Sequence, residues 1–209
     1  MQFLLFGYKR KQEHHTFPNI LERSFKLGMK DVPTVVCDIT EFRLANGLKV
    51  YFCAALDIST RRVLGYSLDT HQDAQLVKDT IQQDKHAYGS QKRILFHSDQ
   101  GSQFASYKVT DFCNQQSMSR KGNCWDNAPQ ESFYGHFKDE AHIKTYTSFT
   151  QQKKDIKDYM KYYNQHKYQW NLKKMTPVEW SYPCQVDSNK LGVFSLRSLS
   201  SKFNRTKVV

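Results

Sequence analysis

The feature that most constrains the fold is a block of three apolar runs between Thr34 and Leu68, separated only by short turns. Thr34-Val35-Val36-Cys37-Asp38-Ile39-Thr40-Glu41-Phe42 is rich in β-branched residues and reads as a strand with an acid in its middle. Asn46-Gly47 follows, a strong hairpin signal. Val50 to Asp57 is almost continuously apolar, the pattern of a strand buried on both faces. After the polar turn Ser59-Thr60-Arg61-Arg62, Val63 to Leu68 reads as a third strand. Parallel neighbours need a long crossover, so strands joined this tightly form an antiparallel meander.

Helical spacing takes over downstream. Asp73 to Lys85 predicts a helix with Ala74, Val77 and Ile81 on its apolar face. Arg93 to His97 is a short fourth strand ending at Asp99, and Ser102 to Gln115 predicts a second helix carrying Phe104, Val109 and Phe112. The order βββαβα, with acids on the first and fourth strands, fits an α/β fold of the RNase H type. A polar loop, Ser117 to Asn123, leads to the next helix. Asn127 suits its N-cap, Pro129 its first turn, and Gln130 completes a capping-box-like pair with Asn127. Phe133, Phe137 and Ala141 form its core face, while Glu131, Gly135 and Lys138 lie on another.

Ser148 to Gln165 predicts an amphipathic helix with Ile156, Tyr159, Met160 and Tyr163 inward. From Tyr163 to Trp180, aromatic residues alternate with basic and amide ones. That mixture grips a phosphate backbone and stacks on bases, and it also suits a packed loop over the core. Residues 1–31 are basic and weakly periodic, and Ile20, Leu21, Phe25 and Leu27 predict one short helix there. The resulting plan is an amino-terminal arm or remnant (1–31), a core (32–145), a helical and basic extension (146–182) and a mobile tail (183–209).

Charge narrows the function. The 209 residues carry 31 Lys and Arg against 20 Asp and Glu, a net of +11. From Lys138 onward the count is 14 against 6, so the carboxyl-terminal third holds most of the excess. Such a surface favours a polyanion, because phosphate neutralisation dominates non-specific nucleic-acid affinity. The five cysteines include no C-x-x-C pair, which argues against a disulfide framework or zinc module and for reduced thiols in the cytoplasm. His14-His15 has no paired cysteines to complete a zinc site. No apolar run approaches the roughly 20 residues of a membrane span, and the first residues lack the layout of a signal peptide.

Three acids on separate elements of a basic chain, Asp38, Asp99 and Glu131, suggest a metal site acting on nucleic acid. An acid in an apolar strand is costly unless it is paired or metal-bound. Each has a plainer reading: Asp38 on an edge strand, Asp99 as a turn former, Glu131 favoured by a helix dipole. Spacing alone does not choose these three over Asp57 or Asp126.

The motifs go further. Cys37-Asp38-Ile39-Thr40, Leu56-Asp57-Ile58-Ser59-Thr60-Arg61, His97-Ser98-Asp99-Gln100-Gly101-Ser102-Gln103-Phe104, Ser117 through Lys138, and Tyr162-Tyr163-Asn164 to Pro177 resemble the integrase-core transposases of bacterial insertion sequences. The likeness is to the second reading frame of the "IS three" family, and more distantly to retroviral integrases. It implies a mixed five-stranded sheet flanked by helices, three strands antiparallel and the rest parallel. It implies a DDE catalytic and metal-binding site of Asp38, Asp99 and Glu131, holding two Mg2+ or Mn2+ ions. It implies DNA end cleavage and strand transfer by 3′-hydroxyl attack, on double-stranded element ends and target, by a homo-oligomer located with the nucleoid in the cytoplasm. A helix-turn-helix partner from an upstream frame is a further implied component. Lys138 would contact terminal phosphates, with Arg120, Lys121, Lys167, Lys173 and Lys174 as further DNA contacts. Asp57 becomes structural, and His97 and Gln103 shape the Asp99 turn.

The chain departs from the family pattern at three places. The region before Asp38 is short and shows no helix-turn-helix motif. Cys37 stands where threonine is usual. The 31 residues between Asp99 and Glu131 fall a few short, just before Ser117. Four strand residues reach roughly 13 Å. The shortfall therefore predicts either an unwound second helix or a shortened or lost fifth strand. Either change would displace Glu131 and leave a catalytically impaired DNA-binding remnant, the alternative to an active enzyme.

Overall fold

The computed structural model describes residues 16–25, 32–88, 94–110, 113, 115–120, 124–141, 143 and 146–186. The arm before residue 16, Leu27, Arg93, Phe112, Lys121 and the tail after Val186 lie outside the described residues. The elements are β1 (Thr34–Arg43), β2 (Lys49–Asp57), β3 (Val63–Asp69), α1 (Ala74–Tyr88), β4 (Leu95–Ser98), α2 (Tyr107–Thr110), β5 (Gln115–Met118), α3 (Ala128–Glu140), α4 (Phe149–Gln165) and α5 (Pro177–Val186). Short 3-10 turns at Cys124–Asn127 and Trp170–Leu172 precede α3 and α5.

The five strands lie in the order β3-β2-β1-β4-β5. The meander β1–β2–β3 is antiparallel, and β4 and β5 add in parallel after helical crossovers. Gly47 turns the first hairpin at φ +84°, a conformation open to glycine. The period of two along each strand sorts side chains to opposite faces. Val36, Phe52, Ala54 and Leu56 face Phe133, Tyr134 and Phe137 of α3 and Ile156, Tyr159, Met160 and Tyr163 of α4. Val35, Cys37, Cys53 and Ala55 face Leu76, Val77 and Ile81 of α1 and Val109 of α2. Phe52 stacks on Phe137 with centroids 4.5 Å apart, and both rings are fully buried. Burying each contributes about 1.5–3 kcal/mol relative to exposure.

Local signals explain the helix starts. Asp73 caps α1 by accepting the Gln75 and Leu76 N–H groups, both at 3.0 Å. At α5, Thr176 and Glu179 exchange backbone N–H bonds in a capping box, at 2.9 and 3.2 Å, with Pro177 in the first position. The box expected at α3 is absent. Asn127 makes no side-chain cap bond, and Gln130 instead reaches into the sheet to donate to the Ala54 carbonyl at 3.0 Å.

Among the described residues, the expected helix from Ser102 to Gln115 is reduced to α2. Turns around Gly101 replace its start, and Gln115 to Met118 are drawn into β5, so Ser117 is a strand residue rather than a loop one. A residue covers about 3.3 Å when extended against 1.5 Å in a helix, so the shortened interval unwinds helix and keeps strand. The expected helix at Ile20–Leu27 is likewise missing over its described part. Residues 16–25 instead lie along the outer edge of β5. The Met118 N–H donates to the Pro18 carbonyl at 3.3 Å, and the Ile20 N–H to Ser117 Oγ at 2.9 Å.

Candidate active site

The parallel register between β1 and β4 pairs Val35 with Phe96 and Val36 with His97. Continued by two residues, it sets Asp38 beside Asp99 at the level where pairing stops. Asp38 shares the parity of Val36, so it points to the α3 side. Its antiparallel partner is Ala54, whose small side chain leaves room there. Asp38 accepts the Ile39 N–H at 2.7 Å, and the Asn127 amide lies against its carboxylate. Burial, with added repulsion from Asp99 and Glu131, pushes Asp38 up to about 7, against the pull of the Ile39 and Asn127 hydrogen bonds.

Asp99 is exposed just past β4 and accepts the Gly101 N–H at 2.9 Å. A Cβ at 101 would stand 2.9 Å from both Asp99 Oδ1 and Gln103 Oε1, so any larger residue there would push one of these side-chain ends aside. Glu131 is exposed in the first turn of α3. That helix is pinned to the sheet by Gln130 on Ala54 and by the Tyr134 hydroxyl, which donates to the Asp38 carbonyl and sits 3.4 Å from that of Phe52. Asp99 and Glu131, on two other elements, are thus each within electrostatic reach of Asp38. Among the described residues no group of three or more His, Cys, Asp or Glu side chains is arranged to hold a metal ion as it stands.

Asp126, one of the alternatives left open by spacing, does different work. Its fully buried carboxylate accepts Arg23 Nε at 2.7 Å, Arg120 Nε and Nη2 at 3.0 Å, the Arg120 N–H at 3.1 Å and Asn19 Nδ2 at 3.1 Å. The arginines, Arg120 foremost, hold its carboxyl well below the usual carboxylate range. His97 lies in β4, not in the Asp99 turn. It is fully buried, with Nδ1 at 2.9 Å from Ser117 Oγ and Nε2 at 3.1 Å from the Asp126 carbonyl. A carbonyl only accepts, so Nε2 carries the proton and Nδ1 accepts from Ser117. Burial pushes the imidazole pKa down, and the ring acts as a neutral crosspiece between β4, β5 and the turn before α3. Asp57 is structural, as expected. Its oxygens take Ser59 N–H and Oγ at 2.8 and 2.7 Å and Thr60 Oγ1 at 2.8 Å.

The basic residues divide. Lys138 is exposed on α3, two turns beyond Glu131. Arg120 is tied to Asp126 while 61% of its side chain stays exposed, and Lys167 is paired with Glu140 with 17% exposed. Lys173 and Lys174 are exposed and left-handed, at φ 53° and 61°. Lys174 Nζ sits 4.8 Å above the Trp170 ring. Sequence reasoning missed Asn127 and Tyr134 as props of Asp38, and the exposed Trp125; the exposed Tyr168 and Trp170 lie in the aromatic and basic stretch it had singled out. Asn127 had a signal, its place four residues before Glu131, but it reads equally as a cap.

Comparison with known proteins identifies the family and the fold. Residues 33–124 match a family described as "Integrase core domain", and residues 131–182 match a second of the same description. The chain is 34% identical over 171 residues to an uncharacterized transposase-like protein of Haemophilus influenzae, covering 79% of this chain and 78% of that protein. It is 32% identical over 182 residues to the transposase of insertion sequence element IS904 of Lactococcus lactis, covering 83% and 70%. InsK of Escherichia coli K12, assigned as the transposase of insertion sequence element IS150, is 32% identical over 176 residues, and the chain spans 62% of its length. The catalytic core of HTLV-2 integrase, solved with magnesium, superposes with a TM-score of 0.55 at 16% identity, over 71% of this chain and 96% of that one. The catalytic core of BIV integrase gives 0.54 at 13% identity, over 74% and 98%. These structural likenesses establish the RNase H-like fold.

Proposed function

The chain belongs to the insertion-sequence transposases built on an integrase core domain, and from that membership we propose that it cuts DNA at element ends and joins the freed 3′-hydroxyl to target DNA. The observation that carries the reading is the convergence of Asp38, Asp99 and Glu131, read from the repulsion the other two exert on Asp38. The donor set suits magnesium or manganese: three hard carboxylate oxygen donors whose mutual repulsion a cation would offset. We assign Asp38, Asp99 and Glu131 as the ligands, for two ions rather than one. Such ions, when bound, make a hydroxyl nucleophilic at neutral pH and neutralise charge on the scissile phosphate.

The chain's own residues supply position. The Ile39 N–H and Asn127 orient Asp38, and the Gly101 N–H orients Asp99. Gln130 and Tyr134 hold α3 against β1 and β2, which fixes Glu131 relative to both. Misplacement of a reacting group by about 1 Å can cost about 100-fold in rate. Lys138 extends the same exposed face and would meet a terminal phosphate. Lys173, Lys174 and the exposed part of Arg120 add to the basic surface, with Lys167 as a lesser contributor, and Lys121 is kept as a DNA contact on its place in the sequence alone. Residues 32–145 form the catalytic core in this reading, residues 146–182 dock on it, and two or more copies act together on paired ends in the cytoplasm, aided by a helix-turn-helix partner.

The test is a strand-transfer assay with Mg2+ or Mn2+ on labelled duplexes taken from the DNA flanking the gene. Joined product is expected from the wild type and none from Asp99→Asn. Product that survives Asp99→Asn would sink the mechanism.

A further inference from the structure

A cleft of about 700 Å³ opens between the α3 flank formed by Ala128, Ser132 and His136 and the segment from Tyr163 to Asn171. Those α3 residues each follow, by one position, a residue of the face that carries Glu131 and Gly135, so the cleft and Glu131 share one helix. Four basic side chains line it, Arg23, Arg61, His136 and Lys167, and among the described residues no carboxylate does. Arg23 and Lys167 are held by Asp126 and Glu140, which lie outside the lining. Arg61 has no carboxylate partner among the described residues, and its charge bears on Tyr163 inside the cleft.

The lip is aromatic. Tyr168 is 69% exposed and Trp170 82%. Both would cost less if covered, yet their backbone is fixed rather than loose. The Gln169 N–H donates to the Met175 carbonyl and the Lys174 N–H to the Gln169 carbonyl, both at 3.0 Å. The two left-handed lysines that close this turn are strained for side-chain-bearing residues and place Lys174 over the Trp170 ring. An exposed indole on a hydrogen-bonded turn, with a cation over part of its ring, is a stacking platform.

We propose that this cleft takes one unpaired nucleotide of the DNA, its base stacked on Trp170 and Tyr168 and its phosphate met by Arg61. The inference rests on the DNA-joining reading above and adds a subsite to it. Charge selects this occupant over a protein one. The chain's own tail beyond Val186 carries five Lys and Arg against one Asp, and a second copy is equally basic at +11. Either would bring like charge to a cationic cleft, whereas a nucleotide brings a phosphate and an aromatic face together.

Fluorescence anisotropy with a short blunt duplex, and with the same duplex ending in unpaired nucleotides, tests this on the full chain. Trp170→Ala is expected to weaken binding of the frayed duplex about tenfold, the size of one lost base stack, and of the blunt duplex less than about twofold. Trp170→Phe should restore most of the loss. Abasic residues at the frayed positions should erase the difference between wild type and Trp170→Ala. Equal losses on both duplexes, or none on either, would overturn the proposal. So would a change of oligomeric state in Trp170→Ala or Arg61→Ala, which would assign the cleft to a second copy. Asp99→Asn separates the two readings: it should bind frayed DNA like the wild type while failing to join strands. If Asp99→Asn joins strands, the catalytic reading falls and the cleft is judged on binding alone.

Discussion

Replacing Asp38 by asparagine should make the metal-free protein more stable, not less, above neutral pH. Asp38 is pushed up from 3.8 to about 7, so folding favours its protonated form. A carboxyl raised in this way contributes stability that is complete below the unfolded pKa and is lost as pH rises through about 7. About three pH units at about 1.4 kcal/mol each set a ceiling near 4 kcal/mol. Asp38 is half-buried and water relaxes around it, so about 2 kcal/mol is the realistic expectation. In a chain of this size that is a Tm higher by about 4–8 °C. The assay is thermal unfolding in chelator from pH 4 to 9, wild type against Asp38→Asn. The gap in favour of Asp38→Asn should open between pH 4 and 7 and then stay constant. Adding Mg2+ should raise the wild-type Tm and narrow the gap, because a ligand that binds only the folded state stabilises it. Asp38→Asn equal to or less stable than wild type at pH 8 would refute the idea that the acids strain the fold.

Other residues give sharper local expectations. Gly101→Ala forces the Asp99 carboxylate or the Gln103 amide to move, so strand transfer should fall at least tenfold while Tm changes by no more than a few degrees. His97 refuses a proton that the unfolded chain accepts, so wild-type stability should fall as pH drops below 6.5, and denaturant titrations of His97→Asn at pH 7.5 and 5.5 should lack that slope. Asp126→Asn leaves two guanidiniums without their counterion. Because both are open to water the cost is about 1–2 kcal/mol, and hydrogen exchange should quicken in residues 16–25 before it does in β1.

Much of this molecule is legible in its sequence because its strands alternate and its helices are amphipathic. β1, β2, β3, α1 and α4 fall within a few residues of where periodicity puts them, and Phe133 and Phe137 are core as their spacing implies. The site is less legible. Asp38 and Asp99 meet through the β1–β4 register, a long-range pairing that no local pattern encodes. The same holds for Asp126: nothing near it in sequence announces that Arg23, 103 residues away, completes its partners. Gln130 looks like a cap because its spacing from Asn127 fits one, yet its amide donates to the Ala54 carbonyl in the sheet instead. Local propensity marks elements, and tertiary hydrogen bonds decide what side chains at their ends do.

The clamp around Asp126 also changes what the length of the Asp99–Glu131 interval can tell us. The turn before α3 is fastened from three directions, by Arg23 from upstream, by Arg120 two residues past β5 and by His97 from β4. Glu131 is therefore located by fasteners close to it, and the chain between the acids is slack that α2 takes up. Relatives can lose or gain residues there as a belt loses or gains a notch, with the buckle unmoved. Indel counts in this interval are for that reason a poor guide to which insertion-sequence copies are dead, and damage to Arg23, His97 or Asp126 should be a better one.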